Sequence, residues 1–231
     1  MVRTSNAERA AWDDTPEPLY WVAVRVLDLL VRVLFRLSIV GGEHLPRQGG
    51  AVLAPNHISA LDPVVLAVAA HRLGRKVRFF ALEILFRRPV LGWVLRESRQ
   101  IPVYRGLGTV RATERISGAL DAGELVVIYP EGTIARPGRR PPARRGVGRV
   151  VAECNVSVIP IAMWGMERRH GGYRLAIRRR AAVLFGAPMD LTPFQGHDDE
   201  QSYQEAADLI LGRIRALEPA ARRFTAPDVK G

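Results

Sequence analysis

The chain has 231 residues, is 48% hydrophobic and holds a single cysteine, Cys154, so it can bury a core but can form no internal disulfide. Thirty-four Lys and Arg against 23 Asp and Glu leave a net charge of +11, a balance that attracts phosphates, nucleic acids or anionic lipid surfaces and says nothing of fold. No internal repeat of solenoid or propeller length is present, and "MVRTSNAERAAWDDTPEP" lacks the order of a secretory signal, so one domain on the cytoplasmic side is expected.

Residues 17–41 open the folded region with "EPLYWVAVRVLDLLVRVLFRLSIVG". Read as a helix, they bring Arg25, Asp28, Arg32 and Arg36 into one arc of roughly 80°, the rest of the surface being apolar. No run of 18 uncharged apolar residues occurs here, which argues against a membrane span. The pattern favours a helix lying in a membrane interface, its arginines at anionic headgroups, over one packed entirely on the core. An alternation of short apolar strands and helices follows. Strands are expected at 50–56, 76–82, 100–105, 124–130, 156–163, 173–179 and 181–188. Helices are expected at 59–73, around "FRRPVLGWVLRES", and at 108–123, 147–155 and 198–219. Such alternation predicts a single α/β domain with a largely parallel central sheet flanked by helices, plus the N-terminal amphipathic membrane-interface helix.

Three strand-end loops carry polar groups. "NHISALDP" (56–63) places His57 five residues before Asp62. Taken alone, Ser59, Asp62 and Pro63 fit a helix cap. The same spacing lets a carboxylate on the first helical turn hold an imidazole as a general base. "YPEGT" (129–133) ends the clearest core strand with Glu131, and "QIPVYRG" (100–106) ends another with Arg105. Strand carboxyl ends are where α/β sheets place their sites, so together the loops favour the base. Residues 136–149 add six arginines and no acid, and 167–180 form a second basic cluster. The five histidines show no metal-ligand spacing, so no metal is expected.

"NHISALDP", "IPVYRG", "YPEGT" and "VIPIAM" stand in the order and approximate spacing of the four blocks of the glycerolipid acyltransferases. Over residues 36–190 the chain most resembles the bacterial 1-acyl-glycerol-3-phosphate (lysophosphatidate) acyltransferases. The resemblance implies an N-terminal extension and membrane-associating helix at 1–35 and an acyltransferase α/β domain at 36–231. It implies a fatty acyl group moved from acyl-CoA or acyl-carrier protein to a lysophospholipid hydroxyl, with no cofactor beyond that co-substrate. His57 would be the general base and Asp62 its orienting partner, with Cys154 a bystander. Asn56, Arg105, Glu131, Gly132, Thr133 and Pro160 would serve substrate binding, Arg105 holding the acceptor phosphate and Pro160 lying near the acyl chain. The expected partners are an anionic membrane surface, a lysophospholipid acceptor and the acyl donor, at the cytoplasmic face of the cell membrane in a peripheral or monotopic mode.

Ile134 stands where the family commonly has arginine, and Arg99 where it often has glycine; Arg144 and Arg145 fill a region that usually bears lysine. These departures bear on the acceptor, leaving another lysolipid or a glycolipid as the alternative. From other classes, the arginine runs raise a nucleic-acid binder. Against it, no aromatic lies within 136–149 to stack bases, and no recognition-helix or zinc pattern occurs. A catalytically silent membrane-binding relative is the third alternative, opposed by the intact His57 and Asp62.

Overall fold

The segment Ala51–Pro55 is apolar on both faces and fully buried, as a strand must be when helices cover both sides of its sheet. The computed structural model describes residues 17–97, 100–103, 109–136, 138–167 and 178–226. Its strands are β1 (Phe35–Val40), β2 (Ala51–Pro55), β3 (Val77–Leu82), β4 (Ile101–Val103), β5 (Leu125–Val127), β6 (Val158–Trp164) and β7 (Arg179–Phe185). Its helices are α1 (Glu17–Leu34), α2 (Asp62–Arg72), α3 (Glu83–Phe86), α4 (Pro89–Glu97), α5 (Thr109–Asp121), α6 (Gly146–Cys154) and α7 (Glu200–Arg223).

The strands form one seven-stranded sheet in the order β1-β7-β6-β2-β5-β3-β4. From β6 through β4 every neighbouring pair is parallel, whereas β7 runs antiparallel to β6 and parallel to β1. This is the largely parallel, helix-flanked α/β domain that the sequence predicts. One face packs on α2 and the inner side of α1 through Leu53, Val65, Leu66, Ile159 and Val31. The other packs on α5, α6 and α7 through Ile116, Val150, Val151, Ile210 and Ile214. Local signals place the helix ends: Asn155 adopts φ 45° to close α6, and the Asp199 side chain accepts the Ser202 N–H at 2.8 Å to open α7.

The expected helix over 17–41 divides in two. It stops at Leu34, and "FRLSIV" becomes β1. There Phe35, Leu37 and Ile39 alternate with Arg36 and Ser38, a period of two that suits an edge strand, and β7 supplies the hydrogen-bonding partner. Arg36 therefore leaves the helical arc and lies in the sheet. The helix expected around "FRRPVLGWVLRES" is two short helices that meet at Arg87–Arg88, just before Pro89, because a residue preceding proline is pushed out of the helical region. The expected strand 100–105 is observed at Ile101–Val103, its last residues lying outside those described. Residues 173–177 of another expected strand also lie outside them.

α1 has three faces. Val24 and Val31 are buried in the domain. Asp28 pairs with Arg72 of α2 at 2.6 Å and with Arg32 at 2.9 Å, which holds its carboxyl below the usual range despite partial burial. Val22, Val26, Leu29, Leu30 and Val33 form an outward stripe at helical spacing, Val26 being 63% and Leu29 65% exposed. Among the described residues no helix is long and apolar enough to cross a membrane.

Candidate active site

Since β2, β3, β4, β5 and β6 run the same way, their carboxyl ends share one edge, and the loops after β2 and β5 meet there. The β2 loop turns sharply. The Ser59 carbonyl accepts the Asp62 N–H at 3.2 Å, and the Ser59 hydroxyl accepts the Leu61 N–H at 3.2 Å. In return the Asp62 carboxylate accepts the Ser59 N–H at 2.8 Å. The same oxygen, Oδ2, accepts the Ile58 N–H at 2.7 Å and lies 2.9 Å from His57 Nδ1. One carboxylate thus both ties the turn before α2 and holds the imidazole.

Asp62 is fully buried, and burial raises its carboxyl pKa above the ordinary value against the lowering effect of its hydrogen bonds to His57, Ser59 and Ile58. Its second oxygen, Oδ1, is buried without a hydrogen-bond partner among the described residues. With Nδ1 turned to Asp62, the outer nitrogen of His57 is Nε2, on a side chain 17% exposed. A carboxylate at Nδ1 favours the tautomer that leaves Nε2 unprotonated, the form that can accept a proton.

The β5 loop completes the setting. Glu131, buried, accepts the His57 backbone N–H at 2.9 Å, and the His57 carbonyl accepts the Ala135 N–H at 2.7 Å. Burial raises the Glu131 carboxyl pKa, partly offset by the His57 N–H. The Tyr129 ring stacks on the imidazole with centroids 4.1 Å apart and planes 26° apart. Its hydroxyl is buried without a partner among the described residues. Burial first, and the Asp62 charge second, push the phenol well above its ordinary pKa. Gly132 has φ 61°, a left-handed turn that calls for glycine. The Arg144 backbone returns over this turn, its N–H donating to the Pro130 carbonyl at 2.8 Å.

Of the residues singled out in the sequence, His57, Asp62, Glu131 and Gly132 gather at this edge, and Thr133 lies exposed beside them. Asn56 is buried and holds the backbone of Met163, its Nδ2 donating to the carbonyl at 3.1 Å and its Oδ1 accepting the N–H at 2.7 Å. Pro160 is buried within β6, opposite Ala54 of β2. Arg105 lies outside the described residues. Burial pushes the Cys154 thiol up to about 11, which keeps it out of thiolate chemistry. Tyr129 was not singled out in the sequence, although an aromatic directly before Pro-Glu-Gly at the end of a core strand was the available signal. No sequence pattern pointed to Arg215 and Glu218 of α7. With Asn56, Ser59, Glu131 and Trp164 they line a cleft of about 1230 Å³ beside the dyad. Arg136 and Arg139 stand on its rim, and Arg140 pairs with Glu218 at 3.1 Å. Among the described residues no group of three His, Cys, Asp or Glu gathers as metal ligands.

A family model described as Acyltransferase matches residues 36–164. The chain is similar to the 1-acyl-sn-glycerol-3-phosphate acyltransferase LPAT1, chloroplastic, of Arabidopsis thaliana, at 27% identity over 69% of this chain and 48% of that one. It is similar to the 1-acyl-sn-glycerol-3-phosphate acyltransferase of Bacillus subtilis, at 23% identity over 87% of this chain and 97% of that one. It therefore spans about half the length of the plant relative. The crystal structure of the 1-acyl-sn-glycerophosphate (LPA) acyltransferase PlsC from Thermotoga maritima shares the fold, with a TM-score of 0.65 at 17% identity over 97% of this chain and 88% of that one.

Proposed function

The chain belongs to the acyltransferase family, and from that premise we propose that it moves a fatty acyl group from an acyl thioester, acyl-CoA or acyl-carrier protein, to the hydroxyl of a lysophospholipid, 1-acyl-glycerol-3-phosphate first among candidates. The observation that carries this is the contact of His57 Nδ1 with Asp62 Oδ2 at 2.9 Å on the carboxyl edge of the sheet. Nε2 takes the proton of the acceptor hydroxyl as its oxygen attacks the thioester carbonyl. The tetrahedral intermediate collapses, the carbon–sulfur bond breaks, and the imidazolium returns the proton to the leaving thiolate. Ester and free thiol are the products. Asp62 stabilises the imidazolium between these steps, and the Tyr129 stack with the Glu131–His57 backbone bond restrains where the ring points.

Phosphate is a feature of both substrates, and guanidinium suits it. Arg105 is assigned to the acceptor phosphate by resemblance. Arg136 and Arg139, on the rim of the cleft, are assigned to the phosphates of the donor. The outward apolar stripe of α1 supports peripheral attachment to a membrane, and the cytoplasmic face is the one proposed.

The test is thiol release from oleoyl-CoA by the purified protein, offered lysophosphatidate and then other lysolipids. Release should require both an acceptor and His57, with His57→Ala lowering it by ~10²–10⁴-fold as removal of a general base does. An unchanged rate in that variant would refute the mechanism. Release that is fastest with another lysolipid would reassign the acceptor.

A further inference from the structure

The two short helices after β3 take no part in the site, yet they hold large apolar side chains in the open: Ile84 is 55%, Leu85 37% and Trp93 48% exposed. These residues project from a closed unit. Gly92 lets α4 approach the Phe86 backbone, where any Cβ would overlap the Phe86 carbonyl. The Arg96 Nη1 donates to that carbonyl at 2.7 Å, and Arg87 pairs with Glu83 at 2.9 Å. These bonds tie the hairpin together locally, while Ile84, Leu85 and Trp93 remain outside.

Position gives the exposure a meaning. α3 starts where β3 ends, on the carboxyl edge that carries His57. β1 runs opposite to β2, so its first residue, Phe35, and with it the last turn of α1, reach the same edge. α1 also contacts α4. α1 and the hairpin are therefore neighbours, and both carry exposed apolar side chains. Arginines border both: Arg25 and Arg32 on α1, Arg87, Arg88 and Arg96 on the hairpin, all exposed. Apolar side chains ringed by arginine, with a tryptophan among them, match the layered chemistry of an anionic lipid surface, hydrocarbon beneath phosphate.

We propose that α3 and α4 form a second lipid-contacting element, which with the outer stripe of α1 seats the carboxyl edge of the sheet on an anionic membrane. Seated in this way, the dyad faces the layer from which a lipid acceptor arrives. That purpose rests on the acyl-transfer function proposed above, whereas the docking itself does not.

The experiment uses the full chain and vesicles of three parts phosphatidylcholine to one part phosphatidylglycerol. Sedimentation should show binding that weakens in high salt and in pure phosphatidylcholine. Ile84→Asp with Leu85→Asp should reduce partition about tenfold or more, while the rate on substrates dispersed in detergent stays as in the wild type. Brominated lipid should quench tryptophan fluorescence in the wild type and quench it less in Trp93→Phe, a conservative change at a half-exposed side chain. Unchanged partition in the double variant together with equal quenching in Trp93→Phe would overturn the proposal. So would a wild-type dimer that Ile84→Asp dissociates, since a second copy would then cover this face. A wild-type chain that binds vesicles but transfers no acyl group in detergent would refute the acyl-transfer function and leave the docking standing.

Discussion

Asp62 carries a charge where burial disfavours it. Its folded-state pKa lies above the ordinary 3.8, so the protonated form is favoured by folding. The stability gained from that proton is fully present below about 3.8 and is lost as pH rises through the folded value. At neutral pH the ionised group therefore costs stability, and the cost is retained because an imidazole base needs a negative partner. Asparagine has the same shape, and its amide oxygen can accept the Ile58 and Ser59 N–H groups as the carboxylate does. Asp62→Asn should therefore melt at a higher temperature than the wild type at pH 7, with the gap closing as pH falls toward 3.8. Acyl transfer should fall by ~10²–10⁴-fold, since the neutral amide oxygen can accept the Nδ1 proton but supplies no charge to stabilise the imidazolium. Thermal melts across pH together with rates check both halves. A lower melting temperature at pH 7 would mean that the three hydrogen bonds outweigh desolvation.

Two arginine assignments proposed above are separable: Arg105 to the acceptor phosphate, by resemblance, and Arg136 with Arg139, on the rim of the cleft, to the donor. Arg105→Ala should raise the acceptor KM about 10–100-fold, the worth of one charge-assisted hydrogen bond, and leave the donor KM alone. Arg136→Ala with Arg139→Ala should do the reverse. Initial rates with each substrate varied in turn decide it, and an exchanged pattern would exchange the assignments. The strand-end loops were legible in the sequence because proline and glycine punctuate the strands where polar residues stand. The limits of α1 were not, because "VRVLFRLSIV" satisfies both periods over so short a stretch and only the register with β7 selects the strand. The Tyr129 stack and the α7 wall of the cleft were hidden for another reason. They join residues distant in sequence, such as Glu218 and Arg140, through packing that no local pattern encodes.

The outermost helix, α1, packs into the core on one side and leaves apolar side chains exposed on the other. Val24 and Val31 are buried beneath α1 at 3% and 1% exposure, each contributing ~1.5–3 kcal/mol on burial. The Asp28–Arg72 pair adds a link to α2. Removing the helix forfeits these contributions and opens the α2 surface it packs on to water, a loss comparable with the ~5–15 kcal/mol that holds a typical domain folded. A chain lacking residues 1–34 should therefore lose its cooperative thermal transition or aggregate, so its failure to bind vesicles would report unfolding instead of a missing anchor. Substitution on the outer stripe separates the two roles. Val26 and Leu29 lie away from the core, and surface changes of that kind stay within ~0.5 kcal/mol each. Val26→Asp with Leu29→Asp should keep the melting temperature within a few degrees, about what such energies allow, while weakening attachment to anionic vesicles. Circular dichroism melts and vesicle sedimentation on the same preparations test this. If the truncated chain melts as the wild type does, α1 is a separable appendage and its inner face contributes little to the fold.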